Sequence, residues 1–333
     1  MTEQNLQCVL AERPVGWVEP RHFRFERGPI PTPGKGEVLV SNHWLSLDPY
    51  MRGRMSDAKS YAEPVALGEV MVGGTAGVVV ASRDPQFQPG DPVVGMLGWQ
   101  LYGVAPARAL QKVDITHVPL SAYLGPVGMP GVTAWYGLKR ICAPQAGETV
   151  VVTAAAGAVG SVVGQLAKLQ GCRVVGVAGG AEKCRYVVDA LGFDACVDYK
   201  AGHLRDDLKA ALPHGVDALF ENVGGEIFDA LLARTNAFAR VALCGMIADY
   251  NTTEPYGMKN IRAVLVNRLK LQGFIVSEHL QDWPAALCEL GGLVAAGRLR
   301  WRESVAQGLE SAPEAFIGML KGRNLGKQLV KLV

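Results

Sequence analysis

Val150-Val-Val-Thr-Ala-Ala-Ala-Gly-Ala-Val-Gly-Ser161 runs from a β-branched stretch straight into a glycine turn. Val150-Val151-Val152 is a short apolar run of the kind buried on both faces of a sheet. Against the pattern G-x-G-x-x-G the three positions are Ala155, Gly157 and Gly160, of which the last two match. Gly157 lets the backbone approach a pyrophosphate, which the N–H groups at a helix N-terminus receive. Gly160, with Gly164 one turn later, lets helix and strand pack closely. Taken alone, the turn fits a plain helix-on-sheet contact equally well.

The residues that follow turn the motif into a domain. A helix is expected over Gly157–Gln170, then a strand at Arg173–Val177, a helix at Glu182–Leu191 and a strand at Ala195–Asp198. Further on come a helix around His203–Leu212, a strand at Asp217–Glu221, a helix around Glu226–Ala233 and a strand at Ala239–Cys244. Lys270–Val276 reads as a sixth strand, followed by a helix at Asp282–Ala296. Strands alternating with helices at this spacing imply an α/β fold with a doubly wound parallel sheet. With that context the glycine turn reads as a dinucleotide site. NAD-type sites place an acid about 20 residues beyond the turn. Here the tip is Val177-Ala-Gly-Gly180, which is small and neutral, and Lys183 follows to neutralise a 2′-phosphate. The cofactor expected is therefore NADPH. Arg185 fits a solvated helix face.

Upstream, short apolar runs (Glu37–Val40, Gly77–Ala81, Asp91–Val94) alternate with turn clusters such as Pro31-Thr-Pro-Gly34, which suits a small barrel or sandwich. Segment 123–147 has a proline-interrupted entry and a short helix at about Thr133–Arg140. Leu325–Lys331 reads as a strand that rejoins the first domain. Forty of 333 residues are glycine, about 12% where ~7% is usual. Lys+Arg 33 against Asp+Glu 31 gives +2, no field for nucleic acid or anionic lipid. The start is polar, and the two longest uncharged stretches are broken by prolines or a glycine turn, so neither a leader nor a membrane span is expected. Seven scattered cysteines, never spaced C-x-x-C, read as reduced thiols in a cytoplasmic protein.

Leu47-Asp-Pro-Tyr-Met-Arg52, Gly128-Met-Pro-Gly-Val-Thr-Ala-Trp135, the alanine-rich turn, Glu221-Asn-Val-Gly-Gly225, Cys244-Gly-Met-Ile-Ala-Asp-Tyr250 and Asn324-Leu-Gly-Lys327 together carry a resemblance. Nearly end to end, the chain resembles the zinc-free leukotriene hydroxydehydrogenase/prostaglandin reductase/curcumin reductase branch of the medium-chain dehydrogenase/reductases. The resemblance implies a GroES-like β-barrel catalytic domain at 1–123 and 300–333, with a Rossmann NADP-binding domain at 124–299. It implies that Gly157, Ala158, Val159 and Gly160 hold the pyrophosphate, and that Lys183 and Tyr199 contact the 2′-phosphate. Asn222 would line the cleft. The backbone of Cys244-Gly245-Met246-Ile247-Ala248-Asp249-Tyr250 and of Phe274-Ile275-Val276 would frame the nicotinamide half, with Asn324 closing from the tail. A homodimer pairing edge strands near Lys270–Val276 is a further implication.

The zinc enzymes of the superfamily need a cysteine and a Gly-His-Glu histidine. Here Gly68-Glu69 has no histidine and residues 9–141 have no cysteine. His22, His43 and His117 read as surface or satisfied polar groups, so no metal is expected. Without a metal, a tyrosine hydroxyl is the natural donor to a developing oxyanion. Tyr250 matches the family position and Tyr256 competes with it. Tyr50 and Trp99 are expected to line the substrate cleft, with barrel packing the alternative, above all for Trp99. Arg52 meets either an acidic substrate tail or a structural partner. Arg21, Arg24 and Arg27, and Arg298, Arg300 and Arg302, read as solvated faces, and Cys244 as a buried inert thiol. The activity expected is NADPH-dependent reduction of the activated double bond of α,β-unsaturated ketones and aldehydes. Quinone reduction, or a catalytically silent NADPH-binding interaction protein, are the alternatives.

Overall fold

The first strands are β1 (Gln4–Leu10), β2 (Phe23–Pro29), β3 (Glu37–Ser46), β4 (Thr75–Ser82), β5 (Pro92–Gly95), β6 (Tyr102–Pro106) and β7 (Gln111–Lys112). A second group follows: β8 (Thr149–Thr153), β9 (Arg173–Ala178), β10 (Ala195–Asp198), β11 (Val216–Glu221), β12 (Thr235–Leu243) and β13 (Lys270–Gly273). β14 (Glu303–Gln307) and β15 (Lys327–Lys331) close the chain. These come from a computed structural model that describes residues 4–333. Its contacts fall into two units: residues up to Leu124 together with Glu303–Val333, and Gly125–Arg302.

In the first unit β14-β15-β3-β4-β5-β7 form one mixed sheet, β6 adds to β3, and β1 and β2 make a separate antiparallel ribbon. β15 lies antiparallel to β3, with Val330 opposite Leu45, so the tail does rejoin this unit. Val38, Val40, Val79 and Val93 fill the interior. Lys327, at the start of β15, is buried with Asp48. Its ammonium donates to Asp48 Oδ1 at 2.6 Å and to the Leu47 carbonyl at 2.8 Å. Ser46 Oγ donates to the other Asp48 oxygen.

Trp99 corrects the expectation of a cleft residue. It is wholly buried, stacked on Phe23 at 5.4 Å and edge-on to Phe316 at 5.7 Å. A ring of that size contributes most to stability when both faces are covered by apolar partners. Arg52 is also buried, and its guanidinium donates to the carbonyls of Pro14 and Gly16. Arg21, Arg24 and Arg27 are solvent-exposed and pair with Glu19, Glu26 and Glu310.

In the second unit the six strands are all parallel and ordered β10-β9-β8-β11-β12-β13. Counted from β8 this is 3-2-1-4-5-6, with the reversal between β8 and β11. Doubly wound sheets bind ligands outside the strand ends at that reversal. Val150, Val151 and Val152 are wholly buried, as are Leu219, Phe220 and Val241. Gly164, in the helix Gly160–Leu169, faces the Phe193 ring so closely that a Cβ would stand 1.8 Å from it.

Several boundaries move for physical reasons. The helix expected at Thr133–Arg140 starts at Met129 and continues as a wider π-type turn over Gly137–Cys142. Pro130 sits in its first turn, where no N–H is needed, so the proline opens the helix. The helix expected from Gly157 begins at Gly160, because Ala154–Val159 form the turn itself. β12 starts earlier than expected, at Thr235, across an irregularity in its pairing with β11. β13 ends at Gly273, and Val276 begins a short 3₁₀ turn.

Candidate functional site

β8 ends at Thr153, and the chain reverses through Ala154, whose φ is +49°. Left-handed backbone at a residue with a Cβ is strained, and such strain gathers at functional sites. The Gly157 N–H donates to the Ala154 carbonyl at 2.9 Å. A Cβ on Gly160 would lie 2.5 Å from that same carbonyl. Only glycine lets the helix start this close to the strand end. No side chain caps the helix, so its first turn is left for an anion.

At the tip of β9, Gly179 makes room for Tyr199, since a Cβ there would lie 2.7 Å from the phenol oxygen. The Gly180 N–H donates to Asp198 at 2.7 Å. Lys183 is half-buried, and burial pushes its ammonium below the usual lysine range, with Lys200 adding like charge. The Lys200 ammonium stands 5.9 Å from the Tyr199 ring centre. Two cations and a phenol thus gather at this tip, where the Asp198 carboxylate is held by the Gly180 and Lys200 N–H groups. The sequence reading missed Lys200, although it follows Tyr199 directly. Arg185 is exposed.

β11 ends at Glu221, which is wholly buried. Its Oε1 accepts from Thr153 Oγ1 at 2.9 Å, the Val223 N–H at 2.6 Å and the Gly224 N–H at 2.8 Å. Its Oε2 is buried with no hydrogen bond. Burial drives the carboxyl up to about 7, against the pull of those donors. Asn222 donates through its side chain to the Thr153 carbonyl, and through its N–H to Thr153 Oγ1, both at 2.8 Å. Glu221 opens the Glu-Asn-Val-Gly-Gly motif, but nothing local in the sequence marks it as a site residue.

The segment after β12 is stitched to the one after β11. Cys244 N–H donates to the Glu221 carbonyl at 2.9 Å, and Ala248 N–H to Val223 at 2.9 Å. Burial, with the Glu221 charge beside it, pushes the Cys244 thiol up to about 12, so it stays protonated and inert. Tyr250 folds back over Gly245, its hydroxyl oxygen accepting the Met246 N–H at 3.3 Å. Tyr256 instead points its hydroxyl at Asp229, 3.5 Å away. After β13 the Phe274 ring packs on Tyr136 and Phe220, and Val276 is buried.

The strand ends therefore gather Gly157–Gly160, Lys183, Tyr199, Asn222, Cys244–Tyr250 and Phe274–Val276 along one rim of the parallel sheet. Tyr50 and Asn324 belong to the first unit. The Tyr50 hydroxyl is buried without a hydrogen-bond partner, and burial together with Asp48 pushes it upward. Asn324 donates to the Gly326 carbonyl at 2.8 Å. Among the described residues no group of three or more His, Cys, Asp or Glu is placed to hold a metal ion, and no helix is long and apolar enough to cross a membrane.

Comparisons with known proteins agree with this architecture. Residues 6–113 match a family model described as the N-terminal domain of oxidoreductase, and residues 158–291 one described as zinc-binding dehydrogenase. The chain is 47% identical to the NADPH-dependent curcumin reductase of Escherichia coli, over 99% of this chain and 97% of that protein. It is 44% identical to the 2-alkenal reductase (NADP(+)-dependent) of Nicotiana tabacum, over 89% and 88%. The crystal structure of CurA from Vibrio vulnificus in complex with NADPH superposes with a TM-score of 0.94 at 46% identity, covering 98% of this chain and 99% of that one. The chain belongs to the medium-chain dehydrogenase/reductase family of oxidoreductases, in the branch that holds the curcumin, alkenal and prostaglandin reductases.

Proposed function

We propose that this chain is an NADPH-dependent reductase of the activated carbon–carbon double bond of α,β-unsaturated ketones and aldehydes. The observation that carries the cofactor is the rim of the parallel sheet, with a glycine turn at the strand-order reversal and Lys183, Lys200 and Tyr199 beside the small, neutral end of β9. NADPH, when bound, supplies a hydride. The turn at Gly157–Gly160 receives the pyrophosphate, and Lys183 and Lys200 neutralise the 2′-phosphate. Asn222 and the backbone of Cys244–Tyr250 and Phe274–Val276 hold the nicotinamide half, and Asn324 contributes from the tail. Tyr50 offers a desolvated hydroxyl to substrate, and the chemistry uses no metal.

Tyr250 is the donor to the developing enolate oxygen. A phenol hydroxyl both donates and accepts, and Tyr250 lies on the rim after β12, whereas the Tyr256 hydroxyl is turned toward Asp229. The α-carbon takes its proton from solvent. The names of the alkenal and curcumin reductases support this substrate class.

The protein works as a cytoplasmic homodimer on this reading. β13 is the edge of its sheet, and the adjacent helix Arg262–Val266 buries none of its residues, leaving Leu265 78% exposed. An apolar helix beside an open strand edge suits a second copy of the chain. Steady-state assays with an enone series, a quinone series, NADPH and NADH test the reading. NADPH oxidation by enones supports it, while turnover with quinones alone moves the activity to a quinone reductase.

A further inference from the structure

Glu221 is set apart by what does not surround it. Among the described residues it has no ion pair, its Oε2 is buried without a hydrogen bond, and its Oε1 rests on neutral donors only. The titratable group facing it is Cys244, from the segment after β12, and that thiol is protonated at neutral pH. A buried carboxylate without a counter-charge is expensive to hold, and such groups cluster where a ligand completes the electrostatics. The strand order gives β11, β12 and β13 to the half of the sheet beyond the reversal, the nicotinamide half on the reading above. Giving up a hydride, which takes two electrons and a hydrogen to the substrate β-carbon, leaves one positive charge on the nicotinamide ring.

We propose that Glu221 supplies the counter-charge to the oxidised nicotinamide, binding NADP⁺ in preference to NADPH and so favouring hydride donation. This rests on the NADPH reading of the site. The carboxylate acts through a low-dielectric interior, where a neighbouring unit charge shifts an equilibrium by about tenfold or more.

The test measures dissociation constants of NADP⁺ and NADPH by calorimetry on the full chain. Wild type is compared with Glu221→Gln, which keeps an acceptor oxygen and removes the charge. At pH 8 the wild type should favour NADP⁺ over NADPH about tenfold more than the variant does. At pH 6, below the carboxyl's value of about 7, the wild-type ratio should approach that of the variant. Titration of the 2′-phosphate affects both nucleotides alike and cancels in the ratio. A variant that weakens both nucleotides equally shows that Glu221 only shapes its turn, which overturns the proposal. If Glu221→Gln does not fold, a wild-type ratio unchanged between pH 6 and 8 overturns it by itself. Failure of wild type to bind either nucleotide removes the NADPH reading and this proposal with it.

Discussion

Two carboxylates are buried at strand ends, one in each unit, and they are treated in opposite ways. Asp48 meets Lys327 at 2.6 Å, with Ser46 on its second oxygen. Glu221 meets three neutral donors and leaves an oxygen bare. The first charge is closed within the fold and ties two distant segments together. The second is held open at the rim of the parallel sheet. A buried ion whose partner is present belongs to the architecture, and one whose partner is missing points to chemistry.

The widest separation between the two comes from removing the partner that exists. Lys327→Met leaves Asp48 buried and unpaired, which should cost about 3–5 kcal/mol of stability in urea unfolding. Adding Asp48→Leu should recover most of that loss. A single variant that loses under about 1 kcal/mol would show the pair to be incidental.

Tyr250→Phe comes next and probes an uncharged donor on the same rim as Glu221. Losing one oxyanion donor lowers turnover by about 10²–10³, with NADPH affinity nearly unchanged, and Tyr256→Phe is the control. Equal slowing in both variants, or in neither, removes Tyr250 from the donor role.

The open carboxylate also makes a statement about stability. Its folded value of about 7 lies above the ordinary 4.5, so the native state binds this proton more tightly than the unfolded chain does. Stability from this group is therefore present at low pH and declines as pH rises from about 4.5 through 7. Each tenfold difference in proton affinity between the folded and unfolded chain is worth about 1.4 kcal/mol. Relative to Glu221→Gln, wild type should therefore lose up to about 3 kcal/mol between pH 5 and 8. Parallel stability–pH curves for the two proteins would show that the fold compensates this carboxylate fully.

The smallest effect belongs to Lys183, a charge for a ligand. Lys183→Ala should weaken NADPH by roughly tenfold or more, from about 1.5–3 kcal/mol for a charge-assisted contact. NADH binding should be unchanged. Equal losses for both nucleotides would mean that the cation serves the fold.

The glycine turn and its flanking strands were legible because their signal is local. Three adjacent valines and two glycines sit within eleven residues, and β10 occupies Ala195–Asp198 as read. Pro130 was misjudged because proline ends a helix in most places but opens one at the first turn. Trp99 carries no sequence mark that separates a cleft from a core, and only Phe23 and Phe316 decide it. Glu221 was invisible for a related reason. The Thr153 hydroxyl that it accepts lies 68 positions earlier, and the bareness of Oε2 is a property of packing.

β15 lies between β14 and β3 in the mixed sheet, and this sets an order of assembly on the ribosome. Gly125–Arg302 is one continuous stretch, so its parallel sheet can close while later residues are still being synthesised. The unit begun by β1 to β7 cannot do so. The Trp44–Ser46 end of β3 lacks β15, and Asp48 lacks its cation, until Lys327 emerges roughly 280 residues after the aspartate. Released chains truncated near residue 310 should therefore carry a protease-resistant 125–302 core beside an accessible N-terminal portion, the part on which a chaperone would have to act.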